Sequence, residues 1–378
     1  MNETGKITVV DQDTGKNIYV ENPIIYQPAI PKQDISYQEN SILTCDGQPE
    51  TFTVSYPSKP IEDYQVSMWE TLDRFERDAW SPTNLGIKTG YDCIDKAFEG
   101  GLTPGFTIVG GDSNLGKTAF MTNLALNVVM NNQNIYVMDF SLDDSIRDKL
   151  SRVAACCGNI TINAVKTPQH YKNNPYVLAR RTQTMANLRT ITDKYCAYDA
   201  SFSTFVEDIQ QEILNKLIYF DQNKIDKKLI VFIDNFHDMD IKEQPGLSMK
   251  DKFDTLAQWC SDFSTQQNII LVCSAELKKL NGTRRPQLDD LREAVKIKYA
   301  AKAVLLVYNE VHYKGESANV YFNEQGYPFK KPVFEVHFAK NKYGTYKGRN
   351  FFYFYPDTCK LIECDQQTSK TYTSIVYG

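Results

Sequence analysis

Histidine is scarce in this chain, with four in 378 residues, and the four are too scattered to suggest a metal cluster. The nine cysteines, at positions 45, 93, 156, 157, 196, 260, 273, 359 and 364, contain no C-x-x-C pair and no histidine-flanked zinc pattern. An odd number of cysteines set mostly in apolar runs reads as buried, reduced thiols. No apolar run approaches membrane-spanning length, and no charged-then-apolar start marks a secretion signal. The expectation is therefore a reducing, cytoplasmic setting with no membrane partner.

Arginine is missing from the first 70 residues, which hold four lysines against eleven acidic residues. That head carries −7 of a total net charge of −5, and the remainder carries +2. A polyanionic partner would be met by local basic loops beyond residue 70.

What is present falls into three segments. Residues 1–60 alternate short β-rich pieces ("KITVV", "KNIYV", "ETFTVSY") with turn signals, which predicts hairpins or an extended arm without a core of its own. Residues 61–83 contain "IEDYQVSMWETLDRFERDAW", where Val66, Met68, Trp69, Leu72 and Phe75 recur at helical spacing before Ser81-Pro82 stops the run. This linker helix packs either on its own chain or on a neighbour. From residue 84 to 378, apolar strands alternate with helices. The strands are 106–111, 134–140, 228–236, 268–276 and 303–310, and near-continuous apolar runs of this kind are buried on both faces. Helices are expected at 119–130, at 205–220 with a capping box Thr204…Glu207, and at 250–264 with Phe253, Leu256, Cys260 and Phe263 on one stripe. The alternation predicts an α/β fold with a mostly parallel sheet. "PVFEVHFAK" and "NFFYFYP", split by "NKYGTYKGR", predict a C-terminal β-hairpin.

The chemistry lies in Gly111-Asp112-Ser113-Asn114-Leu115-Gly116-Lys117-Thr118, followed by Ala119. The pattern G-x4-G-K-T sits between an apolar strand and an apolar helix, which is the setting a phosphate-holding loop needs. Its glycines let backbone N–H groups turn onto phosphates, and the following helix presents its positive end. Lys117 would neutralise the outer phosphates of ATP, and the Thr118 hydroxyl would hold Mg²⁺. Asp234, ending "LIVFIDNF", is the matching carboxylate for the metal. Hydrolysis also needs a group to orient water, and Asp139, Asp143, Asp144 and Glu276 all stand at strand ends.

With these residues in view, the chain resembles the ATPase domain of DnaB-type replicative helicases, a RecA-like P-loop fold. "TGYDCIDKAFEGGLTPGFTIVGGDSNLGKTAFMTNLA" resembles the start of that domain. "FSLDDS" is similar to its F-S-L-E-M segment, and "LIVFIDNF" to its Walker B strand. "RRPQLDDLREA" resembles its R-P-x-L-x-D-L-R-E segment, and "AKNKYGTYKG" its K-N-R-x-G-x-x-G hairpin. The resemblance implies a hexameric ring on single-stranded DNA, with ATP sites between subunits and primase or a loader as further partners. It places Asp143 where the family has a catalytic Glu, and Glu276 where it has a polar sensor. Lys340 and Lys342 take the positions that reach in from the neighbour. Arg292 and Glu293 fall in the loop facing the DNA backbone. It also favours the docking reading of the linker helix.

The basic stretch 278–298 contains Lys278, Lys279, Arg284, Arg285, Arg292, Lys296 and Lys298 but no aromatic ring suited to stacking. Arg284, Arg285, Arg292, Glu293 and Lys296 are thus expected to track DNA phosphates rather than bases. The departures are specific. Asp143 is one methylene short of Glu, Lys342 lacks the forked guanidinium of an arginine finger, Val295 stands in place of a glycine, and an acidic β-rich head replaces the helical N-terminal domain. They leave two further readings open: a slowly hydrolysing ring acting as a replication scaffold, and a RecA-like recombinase forming filaments.

Overall fold

The computed structural model describes 8–10, 17–19, 41–43, 49–51, 66–80 and 86–378, except 245, 281, 293, 294 and 325. The chain divides into two units, Met1–Asn84 and Leu85–Gly378.

In the first unit, β1 (Thr8–Val10) pairs antiparallel with β2 (Asn17–Tyr19), and β3 (Ser41–Leu43) with β4 (Pro49–Thr51). The helix expected from the apolar spacing is α1 (Val66–Ala79). Its Met68, Leu72 and Phe75 are exposed. The side chains of Val66 and Trp69 lie outside the described residues.

The second unit is built on a ten-stranded sheet. Helix α2 (Asp92–Ala97) precedes β5 (Gly105–Gly111), and α3 (Lys117–Asn131) leads to β6 (Ile135–Ser141). Then come α4 (Ile146–Gly158), α5 (Ile162–Lys166), α6 (Pro175–Arg189), β7 (Tyr195–Asp199), α7 (Val206–Gln222), β8 (Lys228–Asp234), α8 (Met249–Gln266) and β9 (Ile270–Glu276). After α9 (Val295–Ala300) and β10 (Ala303–Asn309) follow α10 (Glu310–Lys314), β11 (Tyr321–Phe322), β12 (Lys331–Asn341), β13 (Arg349–Tyr355), β14 (Lys360–Glu363) and α11 (Gln366–Tyr377). The order across the sheet is β14-β13-β12-β10-β5-β9-β8-β6-β7, with β11 pairing β12. From β10 to β7 every pairing is parallel. The final strands, β12 to β14, add antiparallel.

The five apolar strands and the terminal hairpin stand where the sequence places them. Strands β5 and β10 are buried along their whole length because helices cover both faces. One core lies under α3, with Phe120, Leu124, Val307 and Phe334. The other lies under α7 and α8, with Ile209, Ile213, Phe253, Leu256 and Cys260. Strand β7 is the element the periodicity misses: half-buried at the sheet edge, "YCAYD" lacks a continuous apolar run.

The expected capping box at Thr204 does not form. Thr204 accepts the Asp240 N–H at its carbonyl (2.9 Å), beside a parallel bridge between Phe205 and Asp240. The Ser203 hydroxyl takes over, accepting the Phe205 N–H (3.0 Å) and donating to Asp208 (2.6 Å). Glu207 accepts instead from the Glu243 N–H (3.1 Å). The eight cysteines in the described residues are all free thiols.

Candidate nucleotide site and its surroundings

The site grows from the carboxyl ends of β5, β8 and β9. A Cβ on Gly111 would lie 2.4 Å from Val307, so only glycine lets the chain leave β5 here. Asn114 and Gly116 take positive φ values of 60° and 107°, which turn the backbone into the start of α3. Leu115 is fully buried and pins the loop to the core, and Ala119 is buried one turn into the helix.

Lys117 donates from Nζ to the Asp112 carbonyl (3.0 Å). Burial lowers its pKa, and the nearby carboxylates of Asp234, Glu276, Asp112 and Asp143 oppose that shift. Asp234 ends β8 and accepts the hydroxyl of Ser274 from the adjoining strand. Sheet register aligns Gly111 with Glu276 and Asp234 with Ser141, so Glu276 and the Asp143 segment flank the loop. Asp238 is pushed up by burial and by Asp143, Glu276 and Asp234, a further sign that negative charge converges here.

Thr118 and Asp234 offer a hydroxyl and a carboxylate, hard oxygen donors that suit Mg²⁺. Among the described residues there is no group of three or more His, Cys, Asp or Glu able to hold a metal alone. Mg²⁺ that arrives with a nucleotide needs no more, since phosphates and water complete its octahedron. The residues fit the group.

The four candidates for orienting water separate by environment. Asp139 is completely buried, paired with Lys149 (2.8 Å) and accepting from the Tyr195 hydroxyl (2.6 Å), so it serves the fold. Asp144 is paired with Arg152. Asp143 is exposed beside the loop. Glu276 is half-exposed and paired with Arg292 at 3.0 Å.

That last pair joins the loop to the basic segment. The Arg292 N–H donates to the Glu276 carbonyl (3.1 Å), the Lys278 N–H donates to the Asp290 carbonyl (2.7 Å), and Leu277 bridges Leu291 antiparallel. Residues 290–292 therefore extend the end of β9 as a short ladder. His237, three residues beyond Asp234, props it from below: its Nδ1 accepts the Glu276 N–H (3.1 Å), and Phe253 packs edge-on at 4.8 Å. Burial pushes this imidazole down to about 4, so it is neutral at physiological pH. Little in the sequence marks His237. Its one signal was its place directly after the strand bearing Asp234.

The expected DNA-facing residues do not share one environment. Arg292 and Lys296 are exposed, and Glu293 lies outside the described residues. Arg284 is exposed and holds Asp290 through two bonds of 2.6 Å. Arg285 is only partly exposed. Its guanidinium grips Glu335 at 2.7 and 2.8 Å and Glu310 at 2.9 Å, and it covers the ring of Tyr308. Both carboxylates are buried, so Nε and Nη2 of Arg285 are engaged within the chain, and its environment differs from that of the exposed Arg284 and Arg292.

Lys340 and Lys342 stand at the opposite end of the sheet from the phosphate loop. Lys340 pairs with Val304, whereas Gly110 pairs with Leu306, and the Lys342 N–H donates to the Lys302 carbonyl (2.9 Å). At about 3.3 Å per residue, Lys342 is roughly 15 Å from the loop along the strands, with two strand spacings besides. Lys340 donates to the carbonyls of Lys298 and Tyr299 at the end of α9. Burial and the charge of Lys342 lower it to about 8. The exposed Lys342 carries no such bond among those described.

Comparison with known proteins agrees with this architecture. The model of the DnaB-like helicase C-terminal domain matches residues 86–360. The replicative DNA helicase DnaB of Rickettsia prowazekii is 24% identical over 298 residues, covering 75% of this chain and 57% of that protein. The DnaB of Geobacillus stearothermophilus is 23% identical over 293 residues, covering 76% and 58%. The chain thus spans little more than half the length of these relatives. A DnaB-like replicative helicase, solved in work on its interactions with primase, superposes with a TM-score of 0.65 at 17% identity, over 81% of this chain and 69% of its own. A solved ATPase domain superposes with the same TM-score at 16% identity, over 82% of this chain and all of its own. The fold is RecA-like, and the chain belongs to the family of DnaB-like helicase C-terminal domains.

Proposed function

We propose that this chain is the ATP-driven motor of a ring-shaped helicase that moves along single-stranded DNA during replication in the cytoplasm. The observation that carries this reading is the separation of Lys340 and Lys342 from the chain's own phosphate loop. A nucleotide held by one copy is complete only when the next copy brings its hairpin to it, and a closed ring, a hexamer on the family pattern, supplies that neighbour at every site.

Within one copy, the loop amides and Lys117 would bind the phosphates, with Thr118 and Asp234 holding Mg²⁺, which neutralises developing charge when bound. Asp143, exposed next to Asp234, would orient the attacking water. Lys342 and Lys340 of the neighbour would meet the charge that builds on the transferred phosphoryl group. Arg292, Arg284 and Lys296 would contact the DNA backbone, with little preference for base sequence. The exposed apolar side of α1, with Met68, Leu72 and Phe75, suits docking on an adjacent copy. Primase and a loader are the protein partners this reading adds.

The test is ATP turnover with and without single-stranded DNA, on protein whose mass in solution is known. Turnover stimulated by DNA in a hexamer supports the proposal. DNA-independent turnover by a monomer overturns it.

A further inference from the structure

Asp112 puts a carboxylate inside a loop whose task is to hold a polyanion. The loop already turns inward on this residue. Asp112 Oδ1 accepts the Ser113 N–H (2.8 Å), and its carbonyl accepts the ammonium of Lys117 (3.0 Å). One loop amide and the loop lysine, both suited to phosphate, are thus engaged by Asp112. Its other carboxylate oxygen, Oδ2, accepts the hydroxyl of Tyr313 (3.1 Å).

Tyr313 is itself held in place. It lies on α10, 201 residues further along the chain. Its ring stacks on Tyr308 with centroids 5.1 Å apart and planes 12° from parallel. The Tyr308 hydroxyl in turn donates to the Thr283 carbonyl (2.6 Å), and Arg285 covers the Tyr308 ring. Burial and the charge of Asp112 raise the phenol of Tyr313 above its ordinary value, so it remains a donor across the working pH range.

We propose that Tyr313 is a positioning residue for nucleotide binding, its hydroxyl keeping the Asp112 carboxylate turned away from the phosphates. The inference rests on the reading that this loop binds a nucleoside triphosphate. Filling the loop requires Ser113 and Lys117 to leave Asp112, and its carboxylate then needs another donor. Tyr313 is that donor. Without it, the side chain rotates freely beside the phosphates, and like charges at this range repel.

Tyr313→Phe keeps the stack on Tyr308 and deletes only the hydroxyl. A hydrogen bond to a charged group sets the scale, so roughly tenfold weaker binding of a fluorescent ATP analogue is expected, with KM for ATP rising in step and kcat nearly unchanged. In an Asp112→Asn background, the same change should alter binding less than about twofold, because the charge it controls is gone. Thermal stability of Tyr313→Phe should fall modestly, because the bond it deletes is partly buried, and the Tyr308 stack that holds the ring stays. Equal losses in both backgrounds would mean that the hydroxyl supports the fold, and would overturn the inference. So would no loss in either. A parent protein that binds no triphosphate would instead overturn the nucleotide-binding reading, and this inference with it.

Discussion

Arg292 and Glu276 are joined twice, guanidinium to carboxylate at 3.0 Å and backbone N–H to carbonyl at 3.1 Å. The segment expected to touch DNA is therefore tied to the strand end that flanks the phosphate loop. If Arg292 meets DNA as proposed, a phosphate and Glu276 compete for the same guanidinium. Glu276→Gln keeps the backbone ladder and removes the competing charge. Its expected outcome is about twofold to fivefold tighter binding of single-stranded DNA, the scale of an exposed ion pair, together with higher turnover in the absence of DNA. Fluorescence anisotropy and a coupled ATPase assay measure the two effects. Weaker DNA binding would show that the carboxylate supports the segment rather than restraining it.

Asp143 is the exposed carboxylate beside Asp234, one methylene shorter than a glutamate. Misplacement on that scale is enough to cost about a hundredfold in rate. If the site is attenuated, as the scaffold reading requires, Asp143→Glu should raise kcat by about tenfold or more with little change in KM. If the backbone already compensates, the same variant should be slower than the parent. Asp143→Asn should lower kcat in either case.

Arg285 and its neighbour Arg284 should behave in opposite ways. Removing Arg285 takes away the cation that Glu335 and Glu310 share, but Arg349 stays 3.5 Å from Glu335 and Lys314 stays 2.6 Å from Glu310, so the loss is that of hydrogen bonds to charged groups, about 1.5–3 kcal/mol. Arg285→Met is therefore expected to lower the melting temperature by several degrees. Arg284 makes an exposed pair with Asp290, worth about 0–1 kcal/mol, so Arg284→Ala should leave stability almost unchanged and weaken DNA binding at low salt.

The contrast between these adjacent arginines shows where the sequence was legible. The phosphate loop, Asp234 and the five apolar strands declare themselves locally, because a glycine-bounded loop and a doubly buried strand each leave a pattern within ten residues. The environment of Arg285 is fixed by Glu310 and Glu335, carried on elements that fold against it from far along the chain. A basic run gives no hint of that. For the same reason Asp139 and Asp143, alike at a strand end, were distinguishable only once Lys149 and Tyr195 had closed over the first. His237 and Tyr313 leave no local pattern because their partners, the Glu276 N–H and Asp112, come from other strands and loops.

Between pH 6.5 and 4, acid should weaken this protein through two histidines. Burial lowers both His237 and His337 to about 4, against about 6.5 in an unfolded chain. Between those values the unfolded state binds more protons, so the histidine contribution to stability falls as pH drops from 6.5 towards 4 and is spent below it. At pH 5 each imidazole accounts for up to about 2 kcal/mol of lost stability. Melting curves from pH 7.5 to 5 should show the decline, and His237→Gln should flatten the slope. An unchanged slope would mean that His237 titrates normally.

The central claim is that each nucleotide is shared, with one copy supplying Lys117 and the next supplying Lys342. Mixing two inactive variants tests it most directly. Lys117→Ala spoils the cradle, and Lys342→Ala spoils the hairpin. In a mixed ring, a Lys342→Ala cradle that faces a Lys117→Ala hairpin forms an intact site. ATP turnover measured after the two proteins are mixed and reassembled should rise clearly above that of either alone. Turnover that stays at the level of the separate variants, in rings shown by mass to contain both, would contradict the account.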